Sequence, residues 1–352
     1  MLLLLFIALS TLLDPPPIDI NSAFEEELCR LSGIGPVTAA SIIEYRERVS
    51  PFFSVEELIH VPGIGPATLE AILPYVVAQG FTALPDTGHF LPVATPSDTL
   101  LSVVFLDTGN GDAVVLQAGR STWLIDAGPP GNGALRAPVV QQLMECGIDT
   151  LSAVAFTHAH SDHTGGCIDA LEVFDCDLLI DPGIDFPSPV YEDLLQYVFD
   201  SGCGYSVLRG DDRWELSEEV TLEVVWLERG AGSANESSAV YRVSCGNFSL
   251  LITGDIEVES MMNMTFSQGA VTVMKVPHHG SRSSLFFPWF RKAVPQFAVV
   301  CCGRQNPFGH PHRDVLEAWE SLGSKILRTD TQGNIFLYTD GESITFNCSI
   351  FP

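Results

Sequence analysis

Thr157-His-Ala-His-Ser-Asp-His-Thr-Gly-Gly166 is the stretch on which the reading of this chain turns. His158, His160, Asp162 and His163 fall within six residues, directly after the apolar run 153–156. Imidazole and carboxylate are the donors that zinc and similar divalent ions favour. Crowded into a loop at a strand end, they point into one open pocket, and Gly165 and Gly166 let the chain turn back. The protein has only nine histidines in 352 residues, so three in this stretch is not a chance surface cluster.

Around this stretch, short β-rich runs separated by glycines continue from Leu100 onward: 101–106, 113–118, 122–125, 177–180, 220–226, 240–243, 249–252, 271–276 and 297–300. Helical spacing appears among them at 137–146, 191–201, 257–267 and 313–322. Strands interleaved with helices over about 250 residues imply a layered α/β or α+β domain. A second pattern lies in front of it. Leu31-Ser-Gly-Ile-Gly-Pro-Val-Thr-Ala-Ala-Ser-Ile42 recurs as Val61-Pro-Gly-Ile-Gly-Pro-Ala-Thr-Leu-Glu-Ala-Ile72, thirty residues later. Each Gly-Ile-Gly sits between helical stretches. The glycines permit a tight turn, and Pro36 or Pro66 suits the first turn of the next helix.

His158-x-His160-x-Asp162-His163 resembles the first metal motif of the metallo-β-lactamase superfamily. Its surroundings resemble one branch, the hydrolase domain of the ComEC family of competence DNA-channel proteins. The supporting segments are Val104-Phe-Leu-Asp-Thr-Gly-Asn-Gly-Asp-Ala-Val114, Leu124-Ile-Asp-Ala-Gly128, Leu251-Ile-Thr-Gly-Asp-Ile-Glu257, Met274-Lys-Val-Pro-His-His-Gly-Ser281, Gly309-His-Pro-His312 and Arg328-Thr-Asp330. The resemblance implies an αββα sandwich with two divalent ions at one edge, Zn²⁺ first and Mn²⁺ as the alternative. It implies that Asp162 and His163 bind one ion with His278 or His279, that His158 and His160 bind the other, and that Asp255 bridges. Taken alone, Asp255 would read as a turn aspartate. Asp107 and Asp126 are expected to orient ligands or cap turns.

One departure stands out: no histidine occurs between His163 and His278, so a ligand of the first site is missing. Asp181 is a candidate oxygen donor, and a harder ion such as Mn²⁺ would suit the gap. Two divalent ions bring a water's pKa down to about 7, which suits hydrolysis. Asp162, His279 and His310 are the candidate catalytic residues, with His310 and His312 able either to protonate a leaving oxygen or to fix a loop. Ser281, Arg282 and Ser283, beside the histidine pair, suit a phosphate or simply furnish a polar turn.

The front repeat resembles the tandem helix-hairpin-helix domain of ComEA-type DNA receptors, which offers backbone N–H groups to DNA phosphates. That resemblance implies contacts at Gly33, Ile34 and Gly35 and at Gly63, Ile64 and Gly65. Charge argues the other way. Residues 17–80 hold Arg30, Arg46 and Arg48 against nine acidic residues, and the whole chain carries a net charge of −27. Such a chain repels polyanions at long range. A docking or spacer role is the competing reading of this module.

The expected organisation is thus a segment 1–16, a small all-α module over 17–80, a linker over 81–99 and an α+β hydrolase domain over 100–352. Met1–Leu13 is almost unbroken apolar sequence, shorter than the roughly 20 residues a spanning helix needs. It reads as a secretory signal, giving an exported protein, or as a buried or anchoring segment. Nine cysteines without a CxxC pair assign no disulfide. The leading expectation is a metal-dependent phosphodiesterase or nuclease acting on DNA held by the front module. The alternatives are a hydrolase of small esters, thioesters or lactams, and a non-catalytic DNA-binding protein.

Overall fold

A computed structural model describes residues 17–48, 52, 55–78, 98–132, 135–176, 178–184, 186–264 and 271–348. The segment 1–16, and the linker 81–99 but for its last two residues, lie outside the described residues. The chain divides into two compact units, Met1–Pro85 and Asp86–Pro352.

In the first unit the helices Glu25–Leu28, Pro36–Arg48 and Pro66–Ile72 are joined by a 3₁₀ turn at Val55–His60, and Ile18–Asp19 pairs in parallel with Val76–Val77. The two halves of the sequence repeat pack reciprocally. A Cβ on Gly33 would meet Thr68 Cγ2 at 3.3 Å, and one on Gly63 would meet Thr38 Oγ1 at 3.1 Å. Both glycines have positive φ, 81° and 93°, so each is needed for conformation as well as for space. Ile34 and Ile64 are buried, and their N–H groups donate to Leu31 O and Val61 O. They serve the module's own core, which corrects the expectation that they face DNA.

The second unit contains two sheets. Eight strands run in the order Ile344–Cys348, Ile335–Thr339, Leu101–Phe105, Val114–Ala118, Ser121–Ile125, Ala153–Ala155, Leu178–Asp181 and Gly204–Val207. Seven run in the order Lys325–Arg328, Phe297–Val300, Val273–Lys275, Phe248–Ile252, Val240–Cys245, Val220–Trp226 and Arg213–Glu215. Strand alternation assigns the faces. Leu101, Val103 and Phe105 join Leu222, Val243, Leu250 and Val299 between the sheets, whereas Val104 and Leu106 face outward among Val139, Leu143, Leu171 and Leu194. The last four belong to helices Pro138–Glu145, Cys167–Val173 and Pro189–Ser201, which cover that sheet. Helices Phe287–Ala293 and Arg313–Ser321 carry Phe290 and Trp319, buried and stacked at 3.9 Å. The result is helix, sheet, sheet, helix: an αββα sandwich.

Five strands run parallel where the chemistry gathers. Ser121–Ile125 pairs in parallel with Ala153–Ala155, and Phe248–Ile252, Val273–Lys275 and Phe297–Val300 are parallel neighbours. Just past their carboxyl ends come Asp126, Thr157–His163, Asp255, His278–His279 and Cys301–Cys302. Ligand sites in α/β sheets form outside the carboxyl ends of parallel strands, where loops from several strands converge.

Candidate metal centre

Each loop reaches the site by a local device. Gly111 has φ 127°, and a Cβ there would lie 2.1 Å from Asp162 O, so only glycine lets the Asp112 loop approach the histidine motif. Gly254, at φ 52°, would clash with Thr157, and its place before Asp255 needs the same freedom. His160 precedes the short helix Ser161–Thr164, which turns Asp162 and His163 to one side. After Pro277 the chain takes a left-handed turn, with φ 48° at His278 and 53° at His279, so that two adjacent rings face the same cavity.

Four imidazoles are held alike by Nδ1. His163 Nδ1 lies 2.9 Å from Asp126 Oδ2, His158 Nδ1 3.1 Å from Thr157 Oγ1, His279 Nδ1 3.0 Å from Cys301 O, and His278 Nδ1 2.9 Å from Glu257 Oε1. Asp126 also accepts from Thr157 N–H at 2.7 Å, so it orients the motif. The Nε2 atoms are thereby turned inward. His163 Nε2 and His279 Nε2 are both buried without a hydrogen-bond partner, and both stand 3.4 Å from Asp255 Oδ2. His279 Nε2 is 3.5 Å from Asp162 Oδ2, and His278 Nε2 is 3.7 Å from Asp255 Oδ2. His158 Nε2 meets His160 Nδ1 at 3.0 Å.

These spacings are those of a coordination shell. Donor atoms about 2.1 Å from a tetrahedral ion stand about 3.4 Å apart. His158, His163 and Asp255 form one such convergent group, and Asp162, His163 and His279 another. The electrostatics agree. Burial, the strongest influence on His163, disfavours its charge, yet Asp255, Asp126 and Asp162 together hold its pKa well above the ordinary value. His279 is raised in the same way, against burial, by Asp255 and Asp112. The acidic surround demands positive charge, which a divalent cation would supply. The residues present therefore fit a metal centre.

Behind the cluster lies a lysine that sequence reasoning passed over. Lys275 is fully buried, donates to Gly254 O at 2.8 Å, pairs with Asp112, and lies 3.5 Å from Asp255 Oδ1. Its signal was a lone cation inside an apolar strand, Val-Met-Lys-Val. Asp112 appeared in the sequence only as part of a glycine loop. Nothing marked Glu257 or Asn235.

A cavity of about 240 Å³ opens over the cluster, lined among others by His160, Asp162, Asn235, Asp255, His278 and His279. His310 lines it too, its pKa pushed down to about 4 by burial and by His279 and His278, and Phe308 stacks on it at 5.6 Å. The phosphate-binding expectation fares less well. Arg282 pairs with Asp314, and its N–H donates to His312 Nδ1 at 3.1 Å. Ser281 Oγ meets Ser283 Oγ at 2.9 Å, and Ser283 Oγ meets His278 Nδ1 at 3.1 Å. Ser281, Arg282, Ser283 and His312 thus form a brace beside His278, with the two serine hydroxyls, Arg282 Nε and His312 Nδ1 already engaged. Asp181 is also engaged: it accepts from Tyr191 and Tyr205 hydroxyls at 2.7 and 2.6 Å and joins none of the convergent groups among the described residues.

The family model of the metallo-β-lactamase superfamily matches residues 106–304, more than half of the chain. The protein belongs to the metallo-β-lactamase superfamily. It carries that superfamily's hydrolase fold, and a helix-hairpin-helix motif model matches residues 16–77. ComE operon protein 3 of Bacillus subtilis is 31% identical over 210 residues, covering 58% of this chain and 26% of that protein. Competence protein ComA of Neisseria gonorrhoeae is 25% identical over 252 residues, covering 69% of this chain and 33% of its own. The chain therefore spans about a quarter to a third of the length of these relatives. Among solved structures, Igni18, a metallo hydrolase from Ignicoccus hospitalis, aligns at 14% identity with TM-score 0.47, covering 67% of this chain and 98% of its own. Among the described residues no helix is long and apolar enough to cross a membrane.

Proposed function

We propose that this chain is a metal-dependent phosphodiesterase that cleaves DNA held by its helix-hairpin-helix module. The observation that carries the metal part is the pair of buried, unpartnered Nε2 atoms of His163 and His279, each 3.4 Å from Asp255 Oδ2. Asp162, His163 and His279 would hold one ion, His158 and His160 would hold the other, and Asp255 would serve both. Bound there, divalent ions would supply a water acidic enough to attack and positive charge for the phosphoryl oxygens. Zn²⁺ and Mn²⁺ both suit the donors. His278 takes a different part from the ligand role its motif implied. With Nδ1 on Glu257 and Nε2 facing the cavity, it donates a proton to the leaving oxygen. His310, opposite, positions the substrate, and Phe308 offers a face on which a base stacks.

The DNA part rests on the module and on competence-protein relatives. Gly33, Gly35, Gly63 and Gly65 are exposed at the two turns. Arg46 is engaged with Ile20 O and Ala23 O, so cations contribute little and backbone N–H groups carry the contact. Affinity will then depend only weakly on salt, since each neutralised phosphate contributes a slope of about −0.9. Deleting residues 17–80 should lower cleavage of long DNA about 10²-fold, the gain expected of a tethered second site, and leave a small phosphodiester unaffected. Equal rates on long DNA would assign the module to docking instead. Export, which Met1–Leu13 suggests, would bring the site to incoming DNA.

The deciding experiment takes the full chain after chelation and restores Zn²⁺, Mn²⁺ or Mg²⁺ in turn. Single-stranded DNA, duplex DNA, bis-(p-nitrophenyl) phosphate and a p-nitrophenyl ester are the substrates. Cleavage of the phosphodiesters, returning only with added metal, is the expected result. Turnover of the ester alone would overturn the nuclease reading and favour a small-molecule hydrolase.

A further inference from the structure

The sequence lacks a histidine between His163 and His278, and among the described residues His158 converges only with His163 and Asp255, so a His158–His160 position that leaves His163 to the other ion has no further donor among His, Cys, Asp and Glu. Asn235 lies in the loop between strands Val220–Trp226 and Val240–Cys245 and lines the cavity together with His160 and Asp255. Its two amide ends are in opposite situations. Nδ2 donates to Glu257 Oε1 at 3.3 Å, while Oδ1 is buried without a hydrogen-bond partner. The reverse orientation would set the amide oxygen against a carboxylate, so the chemistry of Glu257 selects this one.

The loop is also fixed just after Asn235. Glu236 accepts from the N–H groups of Glu257, Glu259 and Ser260 at 3.2, 3.0 and 2.8 Å, capping the start of helix Val258–Asn263. Ser238 Oγ accepts from Asp255 N–H at 3.1 Å. Asn235 is therefore tied to the same segment that carries Asp255, and Glu257 positions both Asn235 and His278. Such fixing is what a donor atom needs.

We propose that Asn235 Oδ1 is the missing donor on the His158–His160 side of the metal centre, and that it biases that position toward a harder ion than three imidazoles would take. The inference rests on the binuclear reading above. An amide oxygen is a neutral, hard donor of the kind that Mg²⁺ and Mn²⁺ accept, whereas imidazole suits Zn²⁺. A histidine in its place would recreate a nitrogen-rich, zinc-preferring position.

The test is ion binding by the full chain after chelation, followed by calorimetry for Zn²⁺ and by electron paramagnetic resonance for Mn²⁺. Wild-type protein should bind two ions in unequal steps. Asn235→Ala should weaken the weaker Mn²⁺ step roughly 10- to 100-fold and leave the tighter step in place. Asn235→His should shift the Zn²⁺-over-Mn²⁺ preference of the weaker step by at least about tenfold, and this measurement carries the test if the alanine variant does not fold. Titrations of a folded Asn235→Ala protein that superimpose on wild type, or an unchanged preference in Asn235→His, would overturn the assignment while leaving the metal centre standing. Wild-type protein that binds no ion would remove the binuclear reading and this inference with it.

Discussion

Replacing His163 by alanine will abolish hydrolysis and ion retention together. His163 is fully buried, is held by Asp126, and presents Nε2 to Asp255 at 3.4 Å, so it belongs to both convergent groups at the heart of the centre. Losing such a donor is expected to cost about 10³-fold or more in rate, on the order of 4 kcal/mol at about 1.4 kcal/mol per decade. In the ion-free protein the same change leaves the Asp126 carboxylate buried beside Thr157 without its imidazolium partner. Stripping one member from a buried pair typically destabilises by about 3–5 kcal/mol. Bound metal by elemental analysis, DNA cleavage and urea unfolding should all respond. A His163→Ala protein that keeps its metal and its activity would sink the assignment of the centre.

Lys275→Met produces the second large effect, and it appears even without metal. Lys275 sits between Asp112 and Asp255 with no access to solvent. Removing its ammonium strands Asp112 among His163 and His279, and an ion-free sample should lose about 3–5 kcal/mol of stability. Removing both charges is a milder change. Lys275→Met combined with Asp112→Asn should recover most of the loss in urea titrations, since replacing a whole buried pair is often close to neutral. A double variant no more stable than Lys275→Met would show that the two charges do not act on each other. Burial is the strongest influence on the lysine and lowers its pKa, but Asp112 and Asp255 outweigh it and raise the value above the ordinary one. Its contribution is therefore complete below about pH 10.4, and fades only as the pH climbs above that toward the folded-state pKa.

The layered fold was legible because the strands in its interior are apolar runs and the motif sits at the end of one. Strands at the margins were not. Gly204–Val207 is exposed along its whole length and Arg213–Glu215 largely so, and neither shows a hydrophobic signature. Lys325–Arg328 begins and ends on a cation at the border of its sheet. Ile335–Thr339, by contrast, alternates buried and half-buried residues and could have been read by its period of two. In the site, the motif and its glycine-flanked partners pointed to His158, Asp162, His163, Asp255 and His279, which the structure gathers, whereas His160 and His278 join none of the convergent groups among the described residues. It could not say which of two adjacent histidines closes on Asp162, because that depends on a backbone turn rather than on residue type. Asp112, Asn235 and Glu257 stayed hidden for another reason. Each lies far from the motif in sequence; Asp112 follows a glycine and reads first as a turn, while Asn235 and Glu257 have nothing beside them that marks a site. Lys275 was masked by the general rule that lysines lie outside.

The left-handed turn at His278 and His279 sets thermal resistance against catalysis. Each non-glycine residue in that conformation costs about 1–2 kcal/mol relative to a right-handed backbone, and here two occur in succession. Glycine at position 278 would relieve one of these costs and raise the melting temperature while removing a cavity-facing imidazole. Variants selected for heat tolerance alone would drift toward that replacement and become inert. Sequences retaining both imidazoles carry a built-in handicap that only turnover justifies.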